Sequence, residues 1–232
     1  MHKEGTQKIS VAKNVLDVND RMAAQNRREF GELGLFVLNV MSSPGSGKTT
    51  LLTRTIHDLM DEFRVGVVVG DICTTNDAER LSLHGHVPVV QICTDDFGGD
   101  CHLAAHVVKD AASGLDLPSL DILIIENVGN LVCPAEFDIG EDKKVVILSV
   151  TEGEDKPVKY PLMFRISDLA ILNKIDLVPH LDYDMEQAKD FIKQVNPGIP
   201  VFEISARNGE GMDLWMEWIR EKVMEKKKAA AG

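Results

Sequence analysis

Ser43-Pro44-Gly45-Ser46-Gly47-Lys48-Thr49-Thr50 is the stretch whose reading decides the fold. An apolar run at residues 35–40 precedes it and a helical pattern opening with Leu51-Leu52 follows it. A glycine-rich loop between a strand and a helix is the setting in which this motif cradles phosphates. Gly45 and Gly47 let the backbone approach an anion closely, with Pro44 and Ser46 completing the loop. The amides of Gly47, Lys48, Thr49 and Thr50 open a helix whose positive end faces the phosphates. Lys48 can reach the β and γ oxygens, and the Thr49 hydroxyl can hold Mg²⁺. In the strict pattern a glycine stands where this chain has Ser42.

Outward from the loop, short β-branched runs at 35–40, 65–69, 87–92, 122–125, 145–150, 169–172 and 201–204 read as strands buried on both faces of a parallel sheet. Helical patterns at 49–62, 101–112, 185–195 and 212–224 alternate with them. The expectation is a doubly wound, mostly parallel α/β fold with helices on both faces and its ligand at the carboxyl ends of the strands. Ahead of it, Val11, Val15, Val18 and Met22 recur at steps of four, three and four, which predicts an amphipathic N-terminal helix serving as a docking element or a lid on the core. The division expected is an extension over 1–30, a P-loop domain over 31–225 and a frayed tail over 226–232.

The 232 residues suffice for one sizeable α/β domain. A formal net charge of −12 and an aromatic content of 5% argue against a nucleic-acid partner, which leaves a basic footprint and stacking platforms. No run approaches the roughly 18 apolar residues of a membrane span, and the opening Met1-His2-Lys3-Glu4 lacks the apolar core of a signal peptide. A cytoplasmic protein is expected, its four cysteines reduced or metal-bound rather than paired.

Asn173-Lys174-Ile175-Asp176 follows the run at 169–172, and Ser205-Ala206-Arg207 follows the run at 201–204. Their order after the phosphate loop matches a guanine-recognition set. The Asp176 carboxylate can accept from the N1–H and exocyclic amine of guanine; adenine would leave it unpaired, and a site built for such bonds discriminates by about 10⁴. Asn173 and Lys174 brace the loop and cover the base, while the Ala206 amide meets guanine O6.

Asp71 and Glu126 close two further runs and so reach the active edge of the sheet. Glu126-Asn127-Val128-Gly129 occupies the place of a second switch, where the Gly129 amide senses the γ-phosphate and the acid helps position Mg²⁺. Asn130 stands next, so the glutamine that orients water in many signalling GTPases is absent. Slow intrinsic hydrolysis is expected, or a water held by another group such as Asp71.

Two thiols and an imidazole, Cys101, His102 and Cys133, lie near the switch and suit Zn²⁺ or Ni²⁺. Adjacent residues on a helix diverge by about 100°, so Cys101 and His102 converge on one ion only at a helix mouth. Spacing alone leaves three readings open: a three-ligand site, ligands pooled across a symmetric dimer, or ordinary small residues. Cys73 and Cys93 read as buried or idle thiols.

Taken together, SSPGSGKTTLL at 42–52, GD at 70–71, TNDAERL at 75–81, GGDCHLAA at 98–105, IIENVGNLVCPAEFD at 124–138, SVTEGEDKPVKYP at 149–161, NKIDLV at 173–178 and ISARNGEGM at 204–212 resemble the hydrogenase nickel-incorporation GTPases of the HypB family. Ser42 in place of glycine is usual there. The resemblance implies GTP hydrolysis, GTP-promoted homodimerisation, and delivery of nickel with a partner metallochaperone to a hydrogenase large-subunit precursor. It also implies that Cys101, His102 and Cys133 form the metal site, and places Lys156 near the dimer and nucleotide. Many members carry an N-terminal cysteine cluster or histidine-rich stretch; the first cysteine here is Cys73, so high-affinity N-terminal nickel binding is not expected.

Overall fold

The computed structural model describes residues 11–71, 87–93 and 102–231. Its strands are β1 (Phe36–Ser42), β2 (Val65–Asp71), β3 (Val89–Cys93), β4 (Ile122–Gly129), β5 (Lys143–Ser149), β6 (Leu169–Asn173) and β7 (Val201–Ile204). They form one seven-stranded sheet in the order β3-β2-β4-β1-β5-β6-β7, parallel throughout. Among the described residues the helices are α1 (Val11–Glu32), α2 (Lys48–Leu59), α3 (Ala105–Ala112), α4 (Cys133–Glu136), α5 (Lys156–Lys159), α6 (Pro161–Ile166), α7 (Met185–Val195) and α8 (Met212–Ala231). None is long and apolar enough to cross a membrane. The expected doubly wound parallel fold is the one observed, and each apolar run picked out from the sequence contributes a strand.

Alternation along the strands divides the core. Leu38, Val40, Val67, Ile124 and Ile147 face α2 and α8, where Leu52, Ile56, Trp215 and Ile219 meet them. The opposite face is shared: Val37, Val68, Leu123 and Ile125 pack with α3 and Phe30 of α1, while Met41, Val146 and Leu172 pack with α6 and α7. Helices therefore cover both faces, as a sheet apolar on both sides requires. Trp215 is fully buried and donates its indole N–H to the Thr55 hydroxyl at 2.8 Å, so its one polar atom is satisfied.

The N-terminal helix turns a different face inward from the one the valine spacing suggested. Val15 and Val18 are 51% and 60% exposed, whereas Asn19, Ala23, Asn26 and Phe30 are buried. Buried backbone groups at Ala105, Asp138 and Ile139 need hydrogen-bond partners, and the two asparagines supply them. Gly140 makes this approach possible. With φ +93, an added Cβ would sit 2.6 Å from the Asn26 Cβ and 2.8 Å from the Ala23 carbonyl. Gly140→Ala should lower stability by about 1–3 kcal/mol from overpacking alone. A denaturant midpoint equal to wild type would show that the turn can relax away from α1.

The tail also differs from expectation. α8 remains helical to Ala231, with Lys226 Nζ 2.6 Å from Asp142 and Lys227 Nζ 2.8 Å from Asp121. Burial works against ionisation of Asp121, but hydrogen bonds from Lys227 and Arg64 outweigh it and hold the carboxyl down at about 2. Since the folded-state pKa is depressed, this contribution to stability is present above the ordinary carboxylate range and is lost as pH falls toward 2.

Candidate functional site

Strand order reverses at β1, whose neighbours are β4 and β5, and ligands of such sheets bind beyond the carboxyl ends at this point. The loop from Ser43 to Gly47 leaves β1 here. Gly45 and Gly47 both have positive φ, 73 and 96, and Gly47 N-caps α2 in the left-handed region. A Cβ on Gly47 would lie 2.6 Å from the Asn173 amide, so a side chain there would collide with the residue that braces the loop. Asn173 Nδ2 donates to the Ser46 carbonyl at 2.9 Å, and Lys174 Nζ donates to the Gly45 carbonyl at 2.6 Å. Because the peptide is planar and trans, tying the Ser46 carbonyl outward turns the Gly47 N–H inward, toward an anion.

Ser42 is a hub rather than a defect in the motif. Its hydroxyl donates to the Ser43 carbonyl at 2.7 Å and accepts from the Ser46 hydroxyl at 2.5 Å and Lys48 Nζ at 2.9 Å. One donor and both acceptor positions are thus engaged, which orients Lys48 within the loop.

The base end is built from β6 and β7. Asn173 Oδ1 accepts from the Ala206 amide at 3.2 Å, and the Ser205 hydroxyl donates to Asp176 Oδ1 at 2.6 Å. Lys174 holds the left-handed conformation, φ 65, among the described residues the one non-glycine with positive φ. Gly47, Thr50, Asn173, Lys174, Asp176, Leu177, Ala206 and Arg207 line a cavity of about 360 Å³. A planar base fits a slot with a carboxylate and a backbone amide at its edge.

At the opposite end of the loop a second cavity, about 520 Å³, lies among Ser43, Pro44, Gly129, Asn130, Glu152, Lys156 and Tyr160. β4 runs on to Gly129, so Glu126 lies within the strand rather than closing it. Its carboxylate is buried, and Oε1 accepts from the Thr49 hydroxyl at 2.8 Å. Hard oxygen donors of this kind fit Mg²⁺. Asp71 ends β2 in register with Cys93, two positions beyond the Val69 that pairs with Glu126; its side chain lies outside the described residues. A Cβ on Gly129 would meet Pro44 atoms at 3.1 Å, so the backbone at the end of β4 lies directly against the glycine-rich loop.

The metal-ligand candidates are only partly in view. Cys101 and Cys73 lie outside the described residues, and among the described residues no group of three His, Cys, Asp or Glu side chains is placed to hold an ion. His102 does not lie in a helix: α3 begins at Ala105, and Ala104 is extended, φ −86 and ψ 155. Leu103, 1% exposed, packs on the backbone of β2 at Gly70 and draws the preceding segment inward before the helix can start. The His102 ring stacks on Phe137 with centroids 3.7 Å apart. Phe137 follows α4, which Cys133 opens, so the segments carrying His102 and Cys133 lie side by side. Asn130 Nδ2 is 3.4 Å from Cys133 Sγ. Where the sequence led to reduced or metal-bound cysteines, Cys133 is disulfide-bonded in this structure, while Cys93 is free. Metal ligation needs the thiolate, so reduction is a condition of metal binding there.

One buried polar chain went unnoticed in the sequence. Asn127 donates to Asn39 Oδ1 at 3.2 Å, Asn39 donates to Glu141 Oε1 at 3.0 Å, and Glu141 Oε2 accepts from the Ile139 amide at 2.9 Å. Burial pushes the Glu141 carboxyl up, against the pull of Lys144. An asparagine amid the apolar run of β1 was the available signal.

Comparison with known proteins identifies the family. The family described as CobW/HypB/UreG, nucleotide-binding domain, matches residues 36–203. Hydrogenase maturation factor HypB of Azotobacter vinelandii is 55% identical over 211 residues, covering 91% of this chain and 68% of that protein. A probable hydrogenase maturation factor HypB of Methanocaldococcus jannaschii is 39% identical over 227 residues, covering 98% and 100%. The crystal structure of HypB from Helicobacter pylori in complex with nickel superposes with a TM-score of 0.84 at 40% identity, covering 90% of this chain and 97% of that one. The chain belongs to the HypB family of CobW/HypB/UreG nucleotide-binding proteins.

Proposed function

We propose that the chain is a GTP-hydrolysing metallochaperone that delivers nickel during maturation of a nickel-iron hydrogenase. The observation that carries this reading is the short path from phosphate loop to sulfur. Gly129 presses on Pro44, its neighbour Asn130 contacts Cys133 Sγ, and Cys133 is four residues from Gly129. Relatives named as hydrogenase maturation factors, one of them in complex with nickel, support the choice of process and cargo.

In this mechanism Asp176 selects guanine together with the Ala206 amide, which exchanges its 3.2 Å bond to Asn173 Oδ1 for the base; Asn173, Lys174, Ser205 and Arg207 shape its slot, and the loop from Pro44 to Thr50 holds the phosphates. Thr49 and Glu126, with Asp71 at the end of β2, would hold Mg²⁺, which when bound would offset phosphate charge. Lys48 stabilises charge developing on the transferred phosphoryl group, and Ser42 fixes its position. Contact of the γ-phosphate with the Gly129 amide draws the switch inward and shifts Cys133. The grip of Cys101, His102 and Cys133 on the ion then changes, and hydrolysis resets it. Soft sulfur and imidazole donors accept zinc as well as nickel, so supply and geometry select the ion. GTP promotes a homodimer, and a partner nickel metallochaperone and the hydrogenase large-subunit precursor complete the relay.

Lys48→Ala and Cys133→Ala should each abolish hydrogenase activity in a host lacking its own homologue, although both proteins accumulate. Full activity with Lys48→Ala would instead favour a nucleotide-gated interaction protein whose hydrolysis is incidental.

A further inference from the structure

Asn19 and Asn26 lie seven residues apart in the middle of α1, on the face turned into the domain. Asparagine is a poor helix-interior residue and costly to bury, so its presence twice on one buried face needs a reason. Each side chain bonds to two separate segments. Asn19 Oδ1 accepts from the Ala105 amide at 2.9 Å, and Asn19 Nδ2 donates to the Asp138 carbonyl at 2.7 Å. Asn26 Nδ2 donates to the Ala105 carbonyl at 2.8 Å and to the Ile139 carbonyl at 3.0 Å.

Those segments are the ones that carry the metal-ligand candidates. Ala105 opens α3 three residues after His102, and Asp138 lies five residues after Cys133. Asn26 Oδ1 is buried with no hydrogen-bond partner among the described residues, which stability alone does not favour. Arg27, paired with Asp138 at 2.7 Å, and Lys109, paired with Glu29 at 2.7 Å, fasten the same helix to the same two segments from its exposed flanks.

We propose that Asn19 and Asn26 are positioning residues of the metal site. By bonding at once to the backbone at Ala105 and at Asp138 and Ile139, they set the separation between His102 and Cys133. The inference rests on the reading of His102 and Cys133 as ligands. It makes α1 a structural part of the metal site, although it supplies no ligand.

Asn19→Asp separates this role from plain stabilisation. The carboxylate still accepts from the Ala105 amide and favours the N-terminus of α3, but it cannot donate to the Asp138 carbonyl. Reduced, GDP-bound full-length chains of wild type, Asn19→Asp, Asn26→Ala and Cys133→Ala would be titrated with Ni²⁺ against a chromophoric competitor, with GDP affinity measured alongside. The expected result is nickel affinity lowered by about tenfold or more in both asparagine variants, as for outer-shell partners of metal ligands, with GDP affinity within about twofold of wild type. Should Asn26→Ala fail to fold, Asn19→Asp carries the test alone. Wild-type nickel affinity in the folded asparagine variants, with Cys133→Ala weakened, would overturn the proposal and leave the metal site standing. Unchanged affinity in Cys133→Ala would remove the site itself, and the proposal with it.

Discussion

Asp176→Ala should lower the preference for GTP over ATP by about 10⁴, bringing the two affinities close together, as read by equilibrium binding of fluorescent nucleotides. The size of the effect follows from the geometry at the base slot. The Ser205 hydroxyl holds one carboxylate oxygen at 2.6 Å, which orients the acid before any base arrives. Guanine would present two donors to that edge, whereas adenine would leave the half-buried acceptor unpaired, and the unpaired state is what discriminates. Removing the carboxylate removes the penalty on adenine together with the bonds to guanine. Comparable GTP and ATP affinities in the wild type, unaffected by Asp176→Ala, would overturn the guanine assignment.

The second large effect is expected at Lys48. Replacing it with alanine should slow single-turnover phosphate release by about 10²–10³, the range seen when one preorganised charge-stabilising donor is lost. Lys48 is 8% exposed and bonded to Ser42 Oγ at 2.9 Å, so its ammonium group is oriented in a site largely closed to water. There its charge is screened less than it would be in solvent. The intact fold would be checked by the burial of Trp215 against α2, read as intrinsic fluorescence. Hydrolysis within a few-fold of wild type would mean that Lys48 holds the ground state and transition state equally.

Most of the sheet was legible because buried parallel strands are written as continuous β-branched runs, and a run such as Val65-Gly66-Val67-Val68-Val69 has few other readings. The convergence of the loop at 43–50 with the segments at 173–176 and 205–207 was legible because each of them leaves the end of one strand. What the sequence concealed depends on tertiary contact. Val15 and Val18 have helical spacing, but nothing in their neighbourhood reveals that the buried groups opposite α1 are peptide carbonyls and amides, which choose Asn19 and Asn26 instead. The start of α3 was misplaced for the same reason, since Leu103 is drawn onto β2 and Asn19 meets the Ala105 amide across 86 residues of sequence. Ser42 needed Lys48 and Ser46 beside it before its hydroxyl could be seen as a hub. The tail lysines, a solvated charge run in sequence, became anchors only when α8 laid them against Asp121 and Asp142.

The central claim is that nucleotide state and metal affinity are coupled through the short path from Gly129 to Cys133. Coupling is reciprocal, so whatever factor the nucleotide imposes on the metal, the metal must impose on the nucleotide. The most direct measurement is a competition titration of the reduced chain with Ni²⁺ in two states, one loaded with GDP and one with a non-hydrolysable GTP analogue. The account predicts nickel affinities that differ by about fivefold or more, with the same factor recovered when nucleotide affinity is measured with and without nickel. Equal nickel affinities in the two states would contradict it.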